Sequence, residues 1–138
     1  MCIALLGIVA ASFQNKAALK KLRKEIQTKF LEKLYEKRIE LYPEAFRISN
    51  RIVRFKKPDL DKQQEILLEL NKWAGDAGLF LSTEVISAYY DLRKSLGNNP
   101  GNGEFYDDVQ IEKSWAARTE FRAALRADIR TMHAAQAN

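Results

Sequence analysis

Apolar side chains recur at three- and four-residue steps along most of this chain, the spacing that gives a helix one dry face. From Lys16 to Leu41 the stripe is Leu19, Leu22, Ile26, Phe30 and Leu34, widened by Leu31 and Tyr35. A helix with a core-facing side is expected there. Lys29 and Lys33 fall where a strict heptad wants apolar side chains, which argues against a long two-stranded coiled coil. Pro43 lacks a donor and disfavours the helical conformation of Tyr42, so a break or kink is expected near Tyr42. "PEAFRISNRIVRF" then resumes as helix with Phe46, Ile48, Ile52 and Val53 inward, and "KKPD" around Pro58 reads as a loop.

Asp61 is the expected cap of the next helix, with Gln64 as its capping-box partner. Ile66, Leu67, Leu70 and Trp73 form its stripe, and Gly75 is the expected stop. Leu79-Phe80-Leu81 could be a strand, but the chain holds no second β-run for it to pair with. It is read instead as a tight joint that tucks Phe80 into the core. Ser82 is a good N-cap for a helix carrying Val85, Tyr89, Leu92 and Leu96, with Leu81 and Ile86 placed as a hydrophobic staple. "GNNPGNGEF", residues 97–105, is a loop by its glycines and proline. The last helix runs from about Tyr106 to His133 on Val109, Trp115, Phe121, Leu125, Ile129 and Met132. The fold class is therefore all-α: an irregular bundle of four to five helices, with the first broken near Pro43.

A chain of 138 residues that is 46% apolar and 30% charged fits one globular domain, taken as residues 16–138. The net charge of +5 is unevenly spread. Residues 14–57 carry 14 Lys/Arg against 5 Asp/Glu, and residues 58–138 carry 9 against 13. A basic front half points to an anionic partner or to a solvated helix face. Residues 1–15 form an apolar N-terminal segment. Its opening, "MCIALLGIVAASF", holds no charge. As a helix it would span about 20 Å, against roughly 30 Å of hydrocarbon. It lacks the positive start of a secretory signal. Three readings remain open: a short membrane anchor or transmembrane helix, the start of a bundle helix, or a disordered terminus. Lys16, Lys20, Lys21, Arg23 and Lys24 follow it and are the candidate contacts to anionic headgroups.

Candidate chemistry is sparse. Cys2 is the one cysteine and His133 the one histidine, so neither a disulfide nor a cysteine–histidine metal site is expected. Phosphate-cradling glycine motifs are missing, and no cofactor is expected. Asp107 and Asp108 read as partners of a helix dipole. Arg47, Arg51 and Arg54 recur on one face, followed by Lys56 and Lys57, and could track phosphates. Arg118, Arg122, Arg126 and Arg130 recur every four residues on the last helix. Their expected partners are Glu40, Glu44, Glu65, Glu69 and Asp91, with an anion held by Arg122 and Arg126 as the alternative.

"KRIELYPEAF" at 37–46, "WAGDAGLFLS" at 73–82 and "EFRAALRADI" at 120–129 together resemble a family of small, uncharacterised, all-helical bacterial proteins. The resemblance implies a shared helical fold and an N-terminal membrane-anchoring helix; it carries over no catalytic residue. The expected role is a non-enzymatic scaffold or adaptor, either on the cytoplasmic face of a membrane or free in the cytoplasm. Its expected partner is an anionic membrane surface or a protein. The alternative is a soluble protein- or nucleic-acid-binding helical module. An enzyme acting on an anionic substrate has the least support.

Overall fold

A computed structural model describes residues 2–54, 60–97 and 107–137, with side-chain surroundings for 14–54, 60–97 and 107–134. Four α-helices make up the described chain: α1 (Cys2–Asn50), α2 (Leu60–Ala77), α3 (Thr83–Gly97) and α4 (Asp108–Ala137). A single 3-10 turn, Gly78–Phe80, joins α2 to α3. Contacts divide the chain into two units, Met1–Glu36 and Lys37–Asn138. The loop expected at "KKPD" and, beyond Gly97, the one expected at 97–105 lie outside the described residues, as do the side chains of residues 1–13.

Within Lys37–Asn138, α3 packs on both α4 and α2. The core takes Tyr42, Ala45, Ile48 and Ile52 from the first helix and its exit, Ile66, Leu70, Trp73 and Ala77 from α2, Val85, Tyr89, Leu92 and Leu96 from α3, and Phe121 and Leu125 from α4. Burial of each large side chain contributes about 2–3 kcal/mol. Trp73 sits between Tyr42 and Phe121, edge-on to both, at 6.3 and 5.7 Å between ring centroids. Its Nε1 donates to the Leu41 carbonyl at 2.8 Å, so the indole is satisfied inside the bundle.

Several local expectations are corrected. Pro43 does not break α1, which runs through it to Asn50. The proline ring is exposed while Tyr42, Ala45 and Ile48 on either side are buried, so packing outweighs one lost hydrogen bond. Gly75 does not end α2, which continues to Ala77. Asp61 lies inside the first turn of α2, not at its cap. The capping box appears on α4 instead: Gln110 N donates to Asp107 Oδ1 at 2.8 Å, and Asp107 N donates to Gln110 Oε1 at 3.4 Å. Leu79-Phe80-Leu81 is a joint without strand structure, as expected. Phe80, however, is only half-buried, and Leu81 is the residue packed against the core. Ser82 caps α3 through Val85 N at 3.2 Å.

The seam of α4 differs most. Val109 is 63% exposed, and the buried row is Ile111, Ser114, Phe121, Leu125, Asp128 and Met132. Asp128 belongs there because Tyr42 donates to its Oδ2 at 2.5 Å, with Arg38 Nη1 3.9 Å from the same oxygen. Arg38 also donates from Nε to the Phe80 carbonyl at 2.6 Å and from Nη1 to Met132 Sδ at 3.1 Å. Burial, then the bond to the Asp128 carboxylate, pushes the Tyr42 hydroxyl well above the ordinary tyrosine range. The segments 37–46, 73–82 and 120–129 thus meet around one buried polar node.

Candidate interaction surface

Two rows of arginine were candidates for holding an anion, and the geometry ties most of both into the fold. The carbonyls at the end of α1 lack intrahelical partners. Arg118 Nε donates to the Ser49 carbonyl at 2.9 Å, and Arg122 Nη1 donates to the Phe46 carbonyl at 2.9 Å and to Ser49 Oγ at 2.8 Å. These cations face the negative pole of the helix dipole. The Arg122 and Arg126 guanidiniums lie 5.0 and 5.7 Å from the centre of the Phe46 ring, and Arg118 lies 4.3 Å from that of Trp115. Burial, and then the neighbouring arginines, lowers the pKa of Arg118 and Arg122. Arg118 and Arg122 meet carbonyls, a hydroxyl and rings rather than the acids expected for them.

The second row takes the acids. Arg47 pairs with Glu44 at 2.5 Å, and this contact holds the Glu44 carboxyl below its ordinary range. Arg51 pairs with Glu69 and, at 3.2 Å, with Glu65. Arg54 forms a two-pronged contact with Glu112 at 2.9 and 3.1 Å. A phosphate approaching this row would meet a carboxylate at each arginine. Lys56 and Lys57 lie outside the described residues. His133 is exposed on α4. Among the described residues no group of three or more His, Cys, Asp or Glu could hold a metal ion. A shallow groove between α3 and α4 is rimmed by Glu84, Asp91 and Glu120.

Among the described residues, a row of four exposed apolar side chains lies in the other unit. Residues 14–33 of α1 are exposed all round. Leu19, Leu22, Ile26 and Phe30 are 53%, 51%, 58% and 63% exposed, so the stripe expected to face a core faces solvent. At about 100° per residue these four share one side of the helix. Lys16, Arg23 and Lys29 flank that side and Lys33 closes the row one turn beyond Phe30, while Glu25 and Glu32 lie more than a right angle from its centre. Of the five cations first singled out, only Lys16 and Arg23 flank the stripe. Lys20, Lys21 and Lys24 turn away from it, and Lys21 and Lys24 line a shallow surface with Glu25 and Glu32. Lys29 and Lys33 were the missed members. Their signal was present in the sequence as two lysines interrupting a heptad.

No helix among the described residues is long and apolar enough to cross a membrane. The chain matches no protein-family model, no curated protein and no solved structure.

Proposed function

We propose that this protein is a non-enzymatic helical adaptor that docks on the anionic cytoplasmic face of a membrane through its first helix. The bundle of Lys37–Asn138 is the body that it presents there. The observation that carries this reading is the exposed side of α1, where Leu19, Leu22, Ile26 and Phe30 are bordered by Lys16, Arg23, Lys29 and Lys33. Each Lys or Arg near an anionic leaflet contributes about 1 kcal/mol, so four together give a useful attraction. Residues 2–13, which precede this segment, carry no charged side chain in the sequence. In the bundle, Arg47, Arg51, Arg54, Arg118 and Arg122 have partners within the fold, which favours a structural role for them over catalysis or phosphate tracking.

The test is sedimentation of the full chain with vesicles. Binding to vesicles rich in phosphatidylglycerol is expected. It should weaken as salt rises, because screening shortens the reach of the charges, and it should be weak on pure phosphatidylcholine. A chain that stays in the supernatant with anionic vesicles at low salt overturns the reading.

A further inference from the structure

We propose that residues 16–33 of α1 lie in the plane of the bilayer surface, with Leu19, Leu22, Ile26 and Phe30 immersed at the boundary between headgroups and acyl chains. This rests on the membrane reading above and deepens it, since basic residues alone would hold the helix over the headgroups without immersion.

The argument starts from four large apolar side chains, each more than half exposed, on one side of a continuous helix. Scattered surface leucines are ordinary; a row of four in register is an unpartnered face. The charges around it select the occupant. Lys29 and Lys33 stand at the border of the row. If a second copy of the helix packed here, their ammonium groups would be pressed against an apolar partner and lose water. At a lipid surface the same side chains lie along the apolar boundary and lift their charges to the phosphates. Glu25 and Glu32 are turned away, which removes repulsion from an anionic leaflet. From Leu19 to Phe30 the row is about 16 Å long, enough for in-plane attachment and too short to span.

The test uses the full chain with its only cysteine replaced, Cys2→Ser, and a single nitrobenzoxadiazole label attached through Phe30→Cys. The control carries the label through Thr28→Cys, on the opposite side of the helix. With vesicles of phosphatidylglycerol and phosphatidylcholine, label emission at 30 should rise several-fold and shift to the blue, while that at 28 changes little. The double variant Ile26→Gln, Phe30→Gln keeps helix-forming residues at exposed positions. It should lose at least about tenfold in vesicle partitioning. Vesicle binding with an unmoved label and an unaffected double variant overturns immersion and leaves the adaptor reading standing. No binding by the unsubstituted chain overturns both. A blue shift that depends on protein concentration without vesicles overturns immersion in favour of a second copy.

Discussion

Tyr42 and Asp128, 86 residues apart in sequence, are joined by a 2.5 Å hydrogen bond from the Tyr42 hydroxyl to Asp128 Oδ2. The bond ties α1 to α4 where Arg38 also reaches across, and both Arg38 and Asp128 are nearly buried, at 11% and 10% side-chain exposure. Tyr42→Phe keeps the ring against Trp73 and removes only the hydroxyl. It should destabilise the bundle by about 1.5–3 kcal/mol, the range for a hydrogen bond to a charged group. Asp128→Ala strands the Arg38 charge and the Tyr42 donor together, so about 3–5 kcal/mol is expected. Denaturant unfolding followed by tryptophan fluorescence measures both. Losses that simply add in the double variant would show that the two groups act independently.

The same hydroxyl makes the fold sensitive to alkali. Its pKa is raised in the folded chain, by burial first and then by the Asp128 bond. Burial raises Tyr89 as well, and its hydroxyl donates to Asn71 Oδ1 at 2.5 Å. A raised tyrosine holds its proton when folded after the unfolded chain has released it. Its contribution is therefore complete below the unfolded value, about 10, and is lost as pH rises from there through the folded pKa. Stability should be flat in this respect through neutral pH and fall above about pH 10. Tyr42→Phe should make that fall shallower. A wild-type curve and a Tyr42→Phe curve of equal slope in alkali would contradict this origin.

The end of α1 offers a local readout. Arg122 caps it from α4, and the final turns are completed by Arg51 N on the Ile48 carbonyl at 3.1 Å and Ile52 N on the Ser49 carbonyl at 3.2 Å. Arg122→Ala removes two hydrogen bonds and the stacking on Phe46. A loss of about 2 kcal/mol is expected. Amide hydrogen exchange at Arg51 and Ile52 should accelerate more than exchange in α2. Arg122→Lys should recover only part of the protection, because an ammonium is more strongly hydrated and lacks the planar face that lies over the Phe46 ring. Uniform acceleration across all four helices would point to a general packing loss instead.

Helical spacing made α2 and α3 legible because their buried faces are almost wholly apolar, with Gln63 near the start of α2 the polar exception. Ile66, Leu70 and Trp73, and then Val85, Tyr89, Leu92 and Leu96, recur as the pattern requires, and all are buried. On α4 the inward row contains Ser114 and Asp128, so an apolar search slides to Val109. Only the position of Tyr42, on another helix, makes Asp128 an inward residue. The stripe on residues 19–30 shows the opposite error. Its periodicity is as good as that of α2, but periodicity reports that a face is apolar, not what covers it. The bordering lysines were the available clue. The arginine row on α4 was read as structural pairing, but its partners and those of Arg47, Arg51 and Arg54 depended on where α1 ends and which acids lie beside it. No spacing rule contains that information.

Pro43 is the clearest case of tertiary packing overriding local preference. In the middle of a helix it cannot donate to the carbonyl of Ile39, and its ring crowds that carbonyl. Helix α1 nevertheless continues, with Tyr42 and Ala45 buried and the proline exposed. Pro43→Ala leaves the buried face untouched and restores one donor at a solvent-facing position. Alanine has the higher helix propensity, by about 3 kcal/mol in an unconstrained helix interior. Relief in place should be smaller, because proline also restricts the unfolded chain. A gain of about 1–2 kcal/mol is therefore expected in denaturant unfolding, with the Trp73 emission of the native state unchanged. A loss of stability would mean that the backbone geometry proline favours is needed to bring Tyr42 and Ile48 onto the core together. In that case Trp73 emission should shift to the red as water reaches the indole.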